Sequence, residues 1–191
     1  MAARVGILVG VAAVVLAMAG PLAAEEKTVK VSAQARPWDT RINKKYGFGS
    51  GDGRSPAVAF GISLKVNRTL TVTATGSTTT VRGGPSFGPN GQSDYITGAL
   101  PGNSGSYFPS RYIKSDNPVR LNQLVGAFVD ADGVIIGEPF AIGAQATLDV
   151  PKTAVALSMG LNDDIFSDNS GELIVTISYR TPTVTAEDPA E

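Results

Sequence analysis

The chain has 191 residues, 16 basic and 17 acidic side chains, a formal net charge of −1, and neither His nor Cys. This composition excludes zinc sites built on His or Cys, Ser–His–Asp triads, Cys–His pairs and disulfides. The charge balance gives no indication of nucleic acid as a partner. The length is that of one domain of ordinary size with its own core.

The first 24 residues have the pattern of a secretory signal peptide. Arg4 precedes an uncharged apolar run over residues 5–19, and small residues follow up to Ala24. The run is shorter than the about 20 residues of a membrane-spanning helix, and an uncleaved N-terminal anchor is the alternative. We expect an exported chain (secreted, periplasmic or on the cell surface) that begins near Glu25 and has no membrane contact after cleavage.

Most of the remaining chain alternates apolar and polar residues with a period of two, which is typical of β-strands. Such runs lie at residues 29–33, 62–66, 70–75, 123–129, 133–137, 146–150, 155–161 and 173–179. No segment keeps a helical period. The 22 Gly and 12 Pro supply frequent turns. The pattern predicts an all-β fold, an antiparallel jelly roll or β-sandwich, over residues 25–182.

Two long stretches break this pattern, and a tail follows it. Residues 43–59 are rich in Gly and are predicted to be an insertion that forms a flexible loop. Residues 83–118 form a longer loop, and its aromatic content indicates a packed, functional loop. The aromatic side chains in it are Phe87, Tyr95, Tyr107, Phe108 and Tyr112. Residues 183–191 are polar and acidic, and we expect a disordered tail.

Two short motifs have competing interpretations. The segment from Asp130 to Gly133 resembles the start of a calcium loop, but its place between two apolar runs favours a tight hairpin turn. Asn67, Arg68 and Thr69 form a glycosylation sequon, although a turn between strands explains the same residues.

The densest polar segment is the acidic loop, residues 162–170, between two predicted strands. It contains three carboxylates, two carboxamides and two hydroxyls within nine residues. Hard cations such as Ca²⁺ bind oxygen atoms of these kinds. The same residue types also form ordinary turns, because their short side chains bond the local backbone. The spacing is not that of an EF-hand.

Several segments, taken in order, resemble the LecA-type (PA-IL-like) family of calcium-dependent galactophilic lectins. The similar pieces are residues 31–40, 72–76, 87–91, 124–128, 140–143 and 161–171, of which the last is the most specific. The resemblance implies a galactose-binding-domain-like jelly roll that binds a carbohydrate through hydroxyls coordinated to Ca²⁺. Departures from the family are a loop about two residues shorter and the lack of its sugar-selecting His, so the glycan can be a galactoside or another sugar.

The resemblance also implies which residues form the site. Side-chain ligands of Ca²⁺ would be Asp163, Asp168 and Asn169, with Asp164 as a secondary ligand and a backbone carbonyl from about Val81. The sugar would contact Asp163, Asp168 and Asn169, and an aromatic wall would come from the long loop. The aromatic candidates for direct sugar contact are Phe87 and Tyr95, with Tyr107 and Phe108 as further wall residues.

The expected function is calcium-dependent carbohydrate binding by an exported protein, with assembly into a homo-oligomer left open. The alternative is a structural or surface-interaction domain that Ca²⁺ stabilises without sugar binding. A hydrolase with paired carboxylates is the third hypothesis, but no pair is marked as an acid and its partner, so we do not expect an enzyme.

Overall fold

The computed structural model describes residues 23–62, 64, 67–98 and 107–181, with Ala23, Ala24 and Thr181 as backbone only. Short 3-10 turns lie at Lys44–Tyr46 and Pro109–Tyr112. The strands of the described residues are β1 (Ala23–Ser32), β2 (Ala57–Ala59), β3 (Thr69–Thr79), β4 (Ile96–Gly98), β5 (Val119–Arg120), β6 (Leu124–Val129), β7 (Ile135–Ala141), β8 (Gln145–Asp149), β9 (Ala156–Leu161) and β10 (Ser170–Thr181).

The strands form two four-stranded antiparallel sheets that pack together as a β-sandwich. The first sheet has the order β1-β10-β3-β8 and the second the order β2-β9-β6-β7, while β4 and β5 form a separate pair. In the first sheet, β1 pairs with β10 from Ala23 opposite Thr181 to Ser32 opposite Glu172. The predicted all-β antiparallel sandwich is therefore confirmed.

The two sheets differ in how they use their faces. In β3, exposed Thr residues alternate with the buried residues Leu70, Val72 and Ala74, which is the pattern of a sheet with one solvated face. The strands β6 and β9 are buried on both faces. Trp38 packs on the outer side of β6, and Tyr46 and Tyr112 pack around Trp38. This cover explains why the sequence of β6 is apolar throughout.

Two predictions about irregular segments are wrong in part. Residues 62–66 were predicted as a strand, but Ile62 and Leu64 lie in a bend and a turn, and the others lie outside the described residues. Residues 43–59 were predicted to form a flexible loop. Instead they contain β2, which pairs with β9, and Trp38 donates a hydrogen bond to the carbonyl of Tyr46 at 2.9 Å.

Other predictions are confirmed where the described residues reach them. The backbone N–H of Asp130 pairs with the carbonyl of Val134, and Gly133 has φ 80°, so this segment is a hairpin turn between β6 and β7. The side chain of Asn67 is buried and bonds both the N–H and the carbonyl of Arg180, each at 2.8 Å. The amide of Asn67 therefore pairs with the backbone of Arg180 as a residue of a neighbouring strand would.

The long loop, residues 83–118, includes β4 and the second 3-10 turn, and Phe108 and Ile113 are buried in it. It is packed, as predicted, although residues 99–106 are outside the described part. The expected signal peptide and acidic tail lie outside it too, except that Ala23 and Ala24 open β1. Within the described residues, no helix is long and apolar enough to span a membrane.

Candidate functional site

The acidic loop connects β9 of one sheet to β10 of the other. Asn162, Asp163, Phe166 and Asn169 are buried in it, whereas Ile165 is 48% exposed. Ser167 is also exposed and Asp168 half-buried. A solvated hairpin tip would not bury an Asp and two Asn residues, so composition alone does not explain this loop.

Asp163 is a buried carboxylate with donors on both oxygens. Its Oδ1 accepts the backbone N–H of Asp164 at 2.8 Å and of Ile165 at 3.4 Å, and its Oδ2 accepts Nδ2 of Asn169 at 2.9 Å. Only 3% of the residue is exposed. Burial, partly opposed by these hydrogen bonds, raises the pKa of Asp163 from 3.8 to about 7. The groups that oppose this shift are uncharged hydrogen-bond donors, namely the side chain of Asn169 and the backbone N–H groups of Asp164 and Ile165.

Two successive residues of the loop carry buried oxygen atoms without a donor. Among the described residues, neither Oδ1 of Asp168 nor Oδ1 of Asn169 has a hydrogen-bond partner. The amide nitrogen of Asn169 is fully used, because it donates to the carbonyl of Ala33 at 3.1 Å as well as to Asp163. Buried acceptors are normally satisfied, so these two atoms indicate a missing electropositive partner.

Asp52, which lies in the Gly-rich segment, holds the acidic loop in place through hydrogen bonds. Its carboxylate accepts the backbone N–H of Phe166 at 3.1 Å and of Ser167 at 2.8 Å, and the hydroxyl of Ser50 at 2.9 Å. Burial acts to raise the pKa of Asp52, but the hydrogen bonds led by Ser167 outweigh it and hold the pKa below 3.8. Asp52 is not among the site residues that the sequence pattern predicts.

The glycines beside Asp52 approach the loop closely. A Cβ on Gly49 would lie 2.6 Å from the carbonyl oxygen of Asp164, and one on Gly53 would lie 2.7 Å from Cβ of Phe166. Both glycines have positive φ. Their spacing, together with Gly51, was the one signal in the sequence for tight packing, and it was interpreted as flexibility.

Asn162 anchors the start of the acidic loop in a buried polar network. Its Nδ2 donates to the hydroxyl of Thr97 at 2.5 Å and the carbonyl of Arg120 at 2.8 Å, and its Oδ1 accepts the N–H of Ser110 at 3.0 Å. Asn162 thus supports the loop and joins it to the long loop and β5.

Val81 and Asp164 show fewer features of metal ligands. The carbonyl of Val81 accepts the N–H of Gly84 at 3.0 Å within its own turn. Because Thr79 pairs with Ser170, the chain continues from β3 toward Val81 alongside the acidic loop. Asp164 is half-buried, and its backbone carbonyl accepts the N–H of Ser50 at 3.1 Å.

The two candidate aromatic residues lie at the same end of the sandwich as the acidic loop. Phe87 exchanges both backbone hydrogen bonds with Thr78, which pairs with Gly171 at the start of β10. The carbonyl of Tyr95 accepts the N–H of Leu121, the residue is 40% exposed, and its ring packs edge-on against Phe108.

The residues fit a calcium site in part. Asp163, Asp168 and Asn169 offer carboxylate and amide oxygens, and two of those oxygens lack donors. Within the described residues, however, no three His, Cys, Asp or Glu side chains are grouped closely enough to hold a metal by themselves. An ion needing six to eight oxygens would therefore also take carbonyl groups and water.

Comparison with known proteins leaves the chain without an assigned family. No family model matches the sequence, and no curated protein matches it at a significant level. The lectin resemblance consequently remains a prediction.

Proposed function

We propose that the protein is an exported, calcium-dependent carbohydrate-binding domain with the jelly-roll, galactose-binding-domain-like form of the sandwich. One observation carries the proposal. Oδ1 of Asp168 and Oδ1 of Asn169 are buried acceptors without donors among the described residues, and Asn169 contacts the buried carboxylate of Asp163, whose pKa is raised to about 7. A divalent cation would satisfy both oxygens and compensate the buried charge.

The carbohydrate part of the proposal rests on the solvent-facing side of the loop. Bound Ca²⁺ with positions left open would exchange water for two vicinal hydroxyls of a sugar. Asp163 and Asp168 would orient the protons of those hydroxyls as charged acceptors. The exposed ring of Tyr95 offers an apolar surface for the C–H face of a sugar, and Phe87 lies near the same strand ends.

Calorimetric titration with Ca²⁺ tests the metal site. We expect the wild type to bind and Asp168→Ala to bind at least tenfold more weakly. Asp132→Ala is the matched control, because Asp132 is exposed in the hairpin after β6 and its removal should leave the affinity unchanged. Equal affinities for the wild type and Asp168→Ala would contradict the site assignment.

A calcium-stabilised structural domain is the second candidate, and the fastening of the loop favours it. Asp52 and the neighbouring glycines hold the loop closely, and both oxygens of Asp163 already accept hydrogen bonds from the chain. A glycan array separates the two functions. Sugar binding that disappears with a chelator supports the carbohydrate function, whereas a calcium-dependent melting temperature without glycan binding supports the structural one.

A further inference from the structure

Asn122 is a buried residue in an unusual backbone conformation. It precedes β6, is fully buried, and has φ 63°, which among the described residues is the one positive φ outside glycine. This left-handed conformation disfavours most side chains, although Asn tolerates it better than most. Neither the composition of the acidic loop nor the lectin resemblance marks Asn122 as a site residue.

The side chain of Asn122 is satisfied on its nitrogen and not on its oxygen. Nδ2 donates to the hydroxyl of Thr78 at 2.8 Å and to its carbonyl at 3.1 Å, which fixes the orientation of the amide. Among the described residues, Oδ1 has no hydrogen-bond partner. A flipped amide would place Oδ1 against the carbonyl of Thr78, which cannot donate, and would remove both acceptors of Nδ2.

The strand register places Asn122 beside the acidic loop. Leu124 pairs with Leu161, whereas the N–H of Asn122 donates to the carbonyl of Asn162 at 2.8 Å and the N–H of Asn162 donates to the carbonyl of Gln123 at 2.9 Å. Asn122 and Gln123 therefore both lie opposite Asn162, as in a β-bulge, and Asn162 directly precedes Asp163. On its other side, Asn122 holds Thr78, which pairs with Gly171 just after the loop. Asn122 therefore spans from one end of the acidic loop to the other.

We propose that Oδ1 of Asn122 is a further ligand of the cation site, supplied from outside the acidic loop. This inference rests on the proposed calcium binding. Asn122, Asp168 and Asn169 each carry a buried oxygen that has no donor among the described residues. Asn169 contacts the buried carboxylate of Asp163, and Asn122 bonds the backbone of the neighbouring Asn162. Amide carbonyls of Asn are regular ligands of Ca²⁺. Asn122 would thus be a fourth side-chain ligand beside the three from the acidic loop, and it would link the cation site to β6.

The test is calcium titration of three variants at pH 8. Asn122→Gly keeps the left-handed backbone and removes the ligand, and we expect at least a tenfold loss of affinity. Thr78→Val is the control, because it removes the hydroxyl that Asn122 holds and no proposed ligand, and its affinity should stay within twofold of the wild type.

Asn122→Asp keeps the test decisive if the glycine variant does not fold. The new carboxylate would face the carbonyl of Thr78, so this variant should melt below the wild type without calcium and gain a larger shift in melting temperature when calcium is added. Affinity of Asn122→Gly within twofold of the wild type, or a smaller calcium shift for Asn122→Asp, would overturn the inference. A wild type that binds no calcium would overturn the proposed function itself.

Discussion

Replacing Asp163 by Asn should stabilise the metal-free protein at pH 8 and weaken calcium binding. The folded state raises the pKa of Asp163 from 3.8 to about 7, mainly through burial. Between these values the unfolded chain has released the proton and the folded chain retains it. Stability contributed by this group is therefore lost as the pH rises from about 4 to about 7, and the loss is complete above that range.

The magnitude follows from the pKa. A change from 3.8 to about 7 corresponds to about 4 kcal/mol, at about 1.4 kcal/mol for each tenfold change in the acid constant. In the variant, the new amide NH2 group would face Nδ2 of Asn169, so two donors would oppose each other. Rotating the amide of Asn169 would remove this conflict but break its hydrogen bond to the carbonyl of Ala33, which costs about 1 kcal/mol. We expect a net gain of about 3 kcal/mol at pH 8 and a loss of about 1 kcal/mol at pH 4.

Urea unfolding of Asp163→Asn and the wild type at both pH values, with a chelator present, measures this difference. Asp164→Asn is the control, since it removes a neighbouring half-buried carboxylate and should leave most of the pH dependence in place. Equal destabilisation of Asp163→Asn at pH 4 and pH 8 would show that the buried charge is not the cause. With calcium added at pH 8, the wild type should gain stability and the variant should not.

Three further substitutions, of which Gly51→Ala is a control, test how the loop is held. Asp52→Ala removes the acceptor of two backbone N–H groups and should lower the free energy of unfolding by about 2 kcal/mol at pH 7 in urea titrations. Because the folded state lowers the pKa of Asp52, this difference between variant and wild type should shrink as the pH falls below 4. A difference that stays constant would contradict this role. Gly171→Ala should cost about 3 kcal/mol in thermal melts, since φ is 97° and a Cβ would lie 2.4 Å from the carbonyl of Ser77. Gly51→Ala, with φ 78° and no atom within 4 Å of a Cβ, should cost about 1 kcal/mol, and an equal loss at both glycines would contradict the steric reason.

The strand pattern was predictable because a strand with one buried face alternates apolar and polar residues with a period of two. β3 and β10 follow that rule directly. Ile62 and Leu64 belong to a similar alternation but lie in a bend and a turn, because alternation does not supply a neighbouring strand to pair with. The cover of Trp38 over β6 could not be predicted either, since a fully apolar strand does not reveal what lies on its second face.

The candidate site was predictable to the extent that it lies in one segment. Composition indicates Asp163, Asp168 and Asn169; in the structure Asp163 and Asn169 are buried, and Oδ1 of Asp168 and Oδ1 of Asn169 have no hydrogen-bond partner among the described residues. Asp52 and Asn122 reach this loop from positions 40 or more residues away. Such contacts depend on strand order and register, which a single sequence does not record.

The pairing of β1 with β10 determines how the domain faces its surroundings. Ala23 lies opposite Thr181, so the chain enters and leaves the described part at one end of the sandwich. The acidic loop precedes Ser170 at the opposite end of β10, roughly 35 Å away for a strand of 12 residues. Attachment to a surface or a neighbouring domain at either terminus would therefore direct the acidic loop outward, away from the anchoring point.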